Sequence, residues 1–145
     1  MIDSRKDTVL VTGSSGLIGT EVCNRLGQRF NVVGFDRDGG PHPPPVAECV
    51  CVDLTSDESV AAGLERVRFG YGERLASVIH LAAYYDFSGE PSDKYETITV
   101  QGTARFLREL QNFQVEQFVF SSTMLINLDA SRAHSCASAR CDRER

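Results

Sequence analysis

The 145-residue chain has no tryptophan, no excess of positive charge and no hydrophobic run of membrane-spanning length. Its 20 acidic residues outnumber its 15 basic ones, and the formal net charge of −5 argues against a nucleic-acid or anionic-membrane partner. The segment Met1–Asp7 is polar and leads into a β-type run without an apolar signal segment. We therefore expect a cytoplasmic protein.

The five cysteines lack the paired C-x-x-C spacing of a zinc site, and their number is odd. Cys49 and Cys51 share one face of a predicted strand, and Cys23 lies near the apolar face of a predicted helix. We expect these three to be free thiols that act as small core hydrophobes. His134, Cys136 and Cys141 could in principle ligate a metal, but the tail around them has no packing residues to fix a site, so no metal site is predicted.

The order of the elements predicts the fold class. With 41% hydrophobic and 24% charged residues, the chain has the composition of one globular domain. Strands are predicted at about 8–11, 31–35, 47–52, 76–81 and 117–121, with helices between most of them and the longest at about 91–112. This alternation predicts an α/β fold with a doubly wound parallel sheet, truncated after about five strands. By analogy with Rossmann-type folds, we expect the strand order 3-2-1-4-5.

Two further expectations concern the long helix and the end of the chain. Val100, Ala104 and Leu107 form one apolar stripe on the helix, and Phe106, Leu110 and Phe113 form a second, so the helix is expected to be broadly buried. The domain is expected to comprise residues 1–127. Residues 128–145 are rich in Ala, Ser, Arg and Cys, and we expect an irregular or disordered tail there.

The stretch Thr12–Gly19 connects the first strand to the first helix and carries glycines in the pattern Gly-x-x-Gly-x-x-Gly. Glycine has no Cβ, so the turn can be tight and the backbone can approach a phosphate, while N–H groups at the helix start point at the anion. The pattern is a variant of G-x-G-x-x-G, and its strand–turn–helix context favours a dinucleotide pyrophosphate site. The residues expected to bind the cofactor here are Gly13, Ser15, Gly16, Leu17, Ile18 and Gly19.

Asp36 ends the second predicted strand. An acidic side chain there can accept hydrogen bonds from the adenosine ribose hydroxyls and repel a 2′-phosphate, which favours NAD over NADP as the cofactor. Arg37 complicates this preference, because its guanidinium could bind a phosphate or stack on adenine. The alternative is that both residues belong to a solvated turn.

The next two strands also end in candidate cofactor residues. Asp53 could accept a hydrogen bond from the adenine amino group while Leu54 packs on the ring, although Asp53 could equally help only to cap the following helix. Leu81, Ala82 and Ala83 follow the fourth strand, and small residues there let the cofactor ribose and nicotinamide lie against the backbone.

The chemistry-bearing residues around the fourth strand have two interpretations each. The aromatic loop Tyr84–Gly89 lies on the same rim and could shape a substrate pocket, or it could be hydrophobic cover. His80 lies within an apolar strand, where it is expected to be a satisfied core histidine rather than a catalytic base.

Together these motifs resemble the extended short-chain dehydrogenase/reductase family, in its NAD-dependent epimerase/dehydratase branch. The resemblance covers residues 8–126 and implies NAD(P) binding and hydride transfer between the nicotinamide and a sugar or steroid-like carbinol carbon, with a nucleotide-sugar-like substrate possible in full-length members. By position, Thr123 would be the catalytic threonine that hydrogen-bonds the reacting oxygen, with Ser121 among the cofactor-binding residues. The motifs are Thr12–Gly19, Asp36, Asp53-Leu54, His80–Ala83, Thr99–Thr103 and Phe118–Thr123.

The chain departs from that family pattern in two places. The family uses a Tyr-x-x-x-Lys pair about two dozen residues after the threonine, but the last tyrosine here is Tyr95 and the last lysine is Lys94. Thr99 also stands where the family usually has asparagine. We therefore expect the cofactor-binding part of such an enzyme, inactive as it stands and shortened by a truncated gene model, a frameshift or alternative splicing.

Two other functions stay open at this stage. The chain could be a non-catalytic NAD(P)-binding module that acts as a sensor or partner subunit, or a defective fragment that folds poorly. Because the fifth strand would be left as an exposed edge, self-association is also expected.

Overall fold

The computed structural model describes residues 6–37, 46–86, 88 and 90–122. Strands and helices alternate along most of this length, as the sequence pattern predicts. The elements are β1 (Thr8–Thr12), α1 (Leu17–Leu26), β2 (Asn31–Asp36), β3 (Glu48–Cys51), α2 (Asp57–Tyr71), β4 (Arg74–Leu75), β5 (Ser77–His80), a π-helix (Tyr95–Val100), α3 (Gln101–Leu110), β6 (Gln114–Val115) and β7 (Phe118–Phe120).

A five-stranded sheet carries the fold, in the order β3-β2-β1-β5-β7. Every neighbouring pair is parallel. The two-residue strands β4 and β6 pair with each other in a separate small sheet. The predicted Rossmann-type order is therefore confirmed, and the strand order reverses between β1 and β5, where open α/β sheets bind their ligands.

The core lies on both faces of this sheet. Leu10 of β1 packs with residues of α2 and α3, while Val9 and Val11 pack on the opposite face with Cys23 of α1. All five residues of β1 are buried, as expected for a central parallel strand covered on both sides.

The prediction for the cysteines is correct for Cys23 and wrong for the other two. Cys23 is fully buried in the α1 layer, whereas Cys49 and Cys51 are exposed. They do share one face of β3, but β3 is the edge strand of the sheet. In the described part of the chain, the α1-side core cluster does not include either of them.

The long helix also differs from its prediction. Its first turns form a π-helix, and the α-helical part begins only at Gln101. Phe106 and Leu110 are buried as predicted, but Val100 and Leu107 are exposed, so the helix buries one stripe and not two.

Among the residues that the structure describes, β7 lies at an edge of the sheet, and its apolar side chains are partly exposed. Phe118, Val119 and Phe120 are 39%, 40% and 54% exposed. The described residues contain no helix that is long and apolar enough to span a bilayer.

Candidate functional site

Three successive N–H groups attach the glycine turn to the end of β2. The N–H groups of Gly13 and Ser14 donate to the carbonyl oxygen of Phe35, at 2.8 and 3.3 Å. The next N–H group, that of Ser15, donates to Oδ2 of Asp36 at 2.8 Å. The turn is therefore held by the strand beside it as well as by the strand that leads into it.

Glycine occupies each of the three positions in the turn for a different physical reason. Gly13 adopts φ +70°, and a Cβ there would lie 2.9 Å from the backbone nitrogen of Ala82. A Cβ on Gly19 would lie 2.0 Å from the carbonyl oxygen of Gly13, so the helix start could not pack so closely on the turn. Gly16 has an extended backbone, and its Cβ would meet only that same oxygen at 3.3 Å. Gly13 and Gly19 are thus required by packing, whereas Gly16 keeps the surface beside the cavity free of side-chain atoms.

The first turn of α1 supplies hydrogen-bond donors. The N–H of Gly16 donates to Gly13 and that of Thr20 donates to Gly16. The first helical residues, from Leu17 to Gly19, precede the first intrahelical bond, so their N–H groups have no acceptor within the helix. Together with the positive end of the helix dipole, these donors favour an anion at this position.

A cavity of about 390 Å³ opens at the carboxyl ends of β1, β2, β3 and β5. This size is within the range of small-molecule and cofactor sites. The cavity is lined by all of the predicted cofactor-binding residues except Ser15, Leu17, Ile18, Gly19 and Ser121. The lining residues are Thr12, Gly13, Gly16, Phe35, Asp36, Arg37, Val52, Asp53, Leu54, Thr55, Leu81, Ala82, Ala83, Tyr84, Tyr85 and Ile98.

The predicted site residues that do not line the cavity lie beside the glycine turn, at the end of β7 or outside the described residues. Ser15, Leu17 and Ile18 line a shallow depression along the outer side of α1, and Gly19 is buried beneath the turn. Ser121 directly follows β7 and donates its N–H to the carbonyl oxygen of His80 at 3.4 Å. Thr123 lies outside the described residues.

Asp36 presents a hydrogen-bonded carboxylate to the cavity. Its Oδ1 accepts the N–H of Arg37 at 2.8 Å, and its Oδ2 accepts that of Ser15. An ionised carboxylate has about four acceptor positions. Two therefore remain for hydroxyl groups of a ligand.

Asp53 has a clear structural role in addition to lining the cavity. Its Oδ1 accepts the N–H and the hydroxyl of Thr55, at 2.8 and 2.7 Å. These two hydrogen bonds hold the pKa of Asp53 below its ordinary value. The cap of α2 itself is Ser56, whose hydroxyl accepts the N–H of Ser59. Asp53 therefore shapes the turn before the helix while its charge faces the cavity.

His80 joins three elements behind the cavity. Its Nδ1 lies 2.7 Å from the hydroxyl of Thr12, and its Nε2 lies 2.9 Å from the hydroxyl of Thr103 on α3. The same Thr12 hydroxyl accepts the N–H of Ala82 at 3.1 Å. Burial lowers the pKa of His80 to about 4, so the ring is neutral at pH 7. This is the satisfied core histidine that the sequence predicts.

The loop after β5 lines the cavity through Tyr84 and Tyr85. The N–H of Tyr84 donates to the hydroxyl of Thr99 at 2.9 Å, and its ring meets that of Tyr95 edge-on, with centroids 4.9 Å apart. Lys94 places its Nζ 5.4 Å from the centre of the Tyr84 ring. Thr99 thus ties the rim loop to the π-helix, a contact that links residues 15 positions apart and that no local sequence pattern indicates.

Comparison with known proteins agrees with this geometry. The model of the NAD dependent epimerase/dehydratase family matches residues 9–131. The chain belongs to this family. It spans about a third of the length of the curated relatives it matches.

Three relatives illustrate the range of this epimerase/dehydratase family. A 3-beta-hydroxysteroid dehydrogenase from Mycolicibacterium neoaurum is 29% identical over 79% of this chain and 31% of its own length. An N-acetyl-alpha-D-glucosaminyl-diphospho-ditrans,octacis-undecaprenol 4-epimerase from Escherichia coli O157:H7 is 25% identical over 83% of this chain and 33% of its own. Among solved structures, an epimerase from Methanothermobacter thermautotrophicus is 27% identical with a TM-score of 0.66, over 83% of this chain and 37% of that one.

Proposed function

We propose that these 145 residues form the NAD-binding part of an epimerase/dehydratase-type oxidoreductase or isomerase. The observation that carries the proposal is that Gly13 and Gly16 of the glycine turn line one cavity together with the carboxylate of Asp36. Gly16 is also the N-cap of α1, so the N–H donors of the first helical turn follow directly after it. A dinucleotide needs an anion site and a ribose site next to each other, and this arrangement supplies both.

The residues fit a dinucleotide along the whole cavity. The first-turn N–H groups from Leu17 onward would hold the pyrophosphate, and Gly16 leaves room for it. The free acceptor positions of Asp36 would take the adenosine ribose hydroxyls. Asp53 and Leu54 would line the adenine end, and Ala82 and Ala83 the nicotinamide end. When bound, the nicotinamide supplies a hydride acceptor or donor.

The charge at the end of β2 supports NAD as the preferred form. Asp36 lines the cavity as a carboxylate and would repel the 2′-phosphate of NADP. Arg37 lines the same cavity, and its guanidinium would offset part of that repulsion. We therefore propose a preference for NAD, with weaker binding of NADP.

The reaction itself requires more than these residues. In this proposal Thr123 hydrogen-bonds the reacting oxygen, but a threonine hydroxyl cannot serve as the base. These 145 residues contain no tyrosine after Tyr95 and no lysine after Lys94. We therefore propose that they bind the cofactor without turnover, and that a nucleotide-sugar-like or steroid substrate is bound only by the longer family members.

A second candidate function is a non-catalytic NAD(P)-binding module that acts as a sensor or partner subunit. A chain that binds NAD(P) without reacting can report the cofactor level to a partner. The exposed apolar strand β7 offers a surface for such a partner. Measured turnover distinguishes an enzyme from a sensor, whereas cofactor binding supports both.

The test is a calorimetric titration of the purified chain with NAD, NADH and NADP. We expect saturable binding of NAD and NADH, and none in Gly16→Val, because a branched side chain would occupy the phosphate approach while the backbone angles stay ordinary. Ala62→Val, at an exposed position of α2 outside the cavity lining, introduces the same side chain and serves as the control for handling and folding. A folded wild-type chain that binds none of the three cofactors would overturn the proposal.

A further inference from the structure

Asp36 contacts the protein as well as the cavity. Its two carboxylate oxygens accept one N–H each, from Arg37 and from Ser15, both at 2.8 Å. The bond to Ser15 joins residues 21 positions apart, so it connects the glycine turn to the end of β2. A residue that only contacted the ribose would have no need of this bond.

The neighbouring acceptor cannot replace the carboxylate. The carbonyl oxygen of Phe35 already accepts the N–H groups of Gly13 and Ser14, which fills its two lone pairs. Ser15 is buried, with 7% of its surface exposed. Without Asp36, its N–H group would lose its acceptor in a place that water reaches poorly, and the turn would have to shift to find another.

A shift at Ser15 would reach the anion site directly. Ser15 is followed by Gly16, the N-cap of α1, and then by the first-turn residues that carry the free N–H groups. The position of these donors therefore depends on the turn that Asp36 holds. A charge-assisted hydrogen bond is suited to this task because it is stronger than one between neutral groups.

We propose that Asp36 is a positioning residue for the pyrophosphate site, in addition to its ribose contact, because its carboxylate fixes the Ser15 N–H and with it the start of α1. The link to pyrophosphate affinity rests on the proposed function. The anchoring of the turn does not, because it is a property of the ligand-free chain. The two sites are thereby coupled through one side chain.

The experiment measures amide exchange and anion binding in the full 145-residue chain. In Asp36→Ala we expect the Ser15 amide to exchange about tenfold faster or more, because it loses its acceptor. Affinity for inorganic pyrophosphate, which has no ribose to contact Asp36, should fall about fivefold in the same variant. In Asp36→Asn, whose amide oxygen has fewer acceptor positions, both effects should be intermediate.

Asp53→Ala is the matched control. It removes a carboxylate from the same cavity, but one whose hydrogen bonds go to Thr55 and not to the glycine turn. Ser15 exchange should stay within about twofold of wild type, since no bond to the turn is lost. Pyrophosphate affinity should not fall, because the substitution only removes a negative charge from the cavity.

The outcomes separate this inference from the proposed function. If Asp36→Ala weakens NAD binding but leaves Ser15 exchange and pyrophosphate affinity unchanged, Asp36 is a ribose contact only and the inference is overturned. If wild type binds neither NAD nor pyrophosphate but Ser15 exchange still accelerates in the variant, the proposed function fails and the anchoring stands. If Asp36→Ala does not fold, amide exchange in the wild-type chain tests the inference. A Ser15 amide that exchanges as fast as that of Leu17 would show that Asp36 does not hold the Ser15 N–H group.

Discussion

The hydroxyl oxygen of Thr12 lies 2.7 Å from Nδ1 of His80, which is 68 residues further along the chain. Thr12 ends β1 and His80 ends β5, so this contact joins the two strands at the edge where the cavity opens. The rings of Phe106, Phe118 and Phe120 surround the imidazole at centroid distances of 5.3, 6.2 and 6.1 Å. Burial among these rings therefore keeps the imidazole neutral, and the hydroxyl groups of Thr12 and Thr103 hold its orientation.

This environment predicts acid destabilisation. The pKa of His80 falls from 6.5 to about 4 on folding, so the unfolded chain takes up a proton at a pH where the folded chain does not. The stability that this group contributes is complete above pH 6.5 and is lost as the pH falls towards 4, in total roughly 3 kcal/mol. Urea unfolding at a series of pH values between 7.5 and 4.5 measures it.

The control for this prediction is His80→Asn. The variant should be less stable at pH 7.5, because it loses ring packing, but its unfolding free energy should change less between pH 6.5 and 4.5. An equally steep pH dependence in the variant would show that another group is responsible.

Gly13→Ala should destabilise the chain far more than Gly72→Ala. Both glycines have positive φ, at 70° and 85°, but a Cβ at Gly13 would meet the backbone of Ala82, whereas nothing lies within 4 Å at Gly72. Gly72→Ala should cost about 1 kcal/mol from backbone conformation alone. Gly13→Ala should cost about 2 kcal/mol more, since the strand end must move. Chemical denaturation of both variants gives the comparison, and equal losses would show that the close approach to Ala82 is unimportant.

Asp36→Ala should change the ratio of the affinities for NAD and NADP. Losing the anchor of the turn should weaken both cofactors, but only NADP also gains from the loss of a negative charge beside its 2′-phosphate. The ratio should therefore move towards NADP by about tenfold. Titration of both cofactors measures it. If Arg37 binds the 2′-phosphate, the double variant with Arg37→Ala should lose the gain in NADP affinity. An unchanged ratio of NAD to NADP affinity in Asp36→Ala would contradict the proposed contact between Asp36 and the ribose.

The exposed edge strand predicts concentration-dependent self-association. Within the described ranges, β7 carries three adjacent exposed apolar residues and pairs on one side only, with β5. Val119→Lys should reduce association, because a charge on an edge strand opposes pairing with another chain. Phe69→Lys is the matched control, since Phe69 is 94% exposed but lies on α2. Sedimentation velocity at several protein concentrations measures the self-association of both variants. Equal effects of the two substitutions would exclude a specific role for β7.

Local patterns were sufficient to predict the five strands of the main sheet and the helices between them, and analogy with Rossmann-type folds supplied the strand order. They also indicated Gly13, Gly16 and the strand-end residues that line the cavity. They were insufficient where the answer depends on what covers a strand or a helix face. Cys49 and Cys51 alternate as core residues do, but β3 has an edge position that leaves them exposed. The prediction that Val100 and Leu107 are buried is wrong for the same reason. Helical spacing identifies an apolar stripe but does not show whether another element packs on it.

The hydrogen bonds behind the site also could not be predicted from the sequence. The contacts of His80 with Thr12 and Thr103, and of Asp36 with Ser15, join residues more than 20 positions apart. The glycine pattern predicts that N–H groups face a ligand. The structure shows that those of Gly13, Ser14 and Ser15 face β2, so the donors left for an anion begin with the helix itself.

The central place of β1 has a consequence for synthesis of the chain. Val9 pairs with Val32 on one side and with Ser77 on the other. On the ribosome, the first neighbour is available early, but the second emerges only after another 45 residues have been added. Until then one edge of a strand that is fully buried in the folded chain is open to nascent chains nearby, so we expect chaperone dependence to be greatest before Ser77 has emerged.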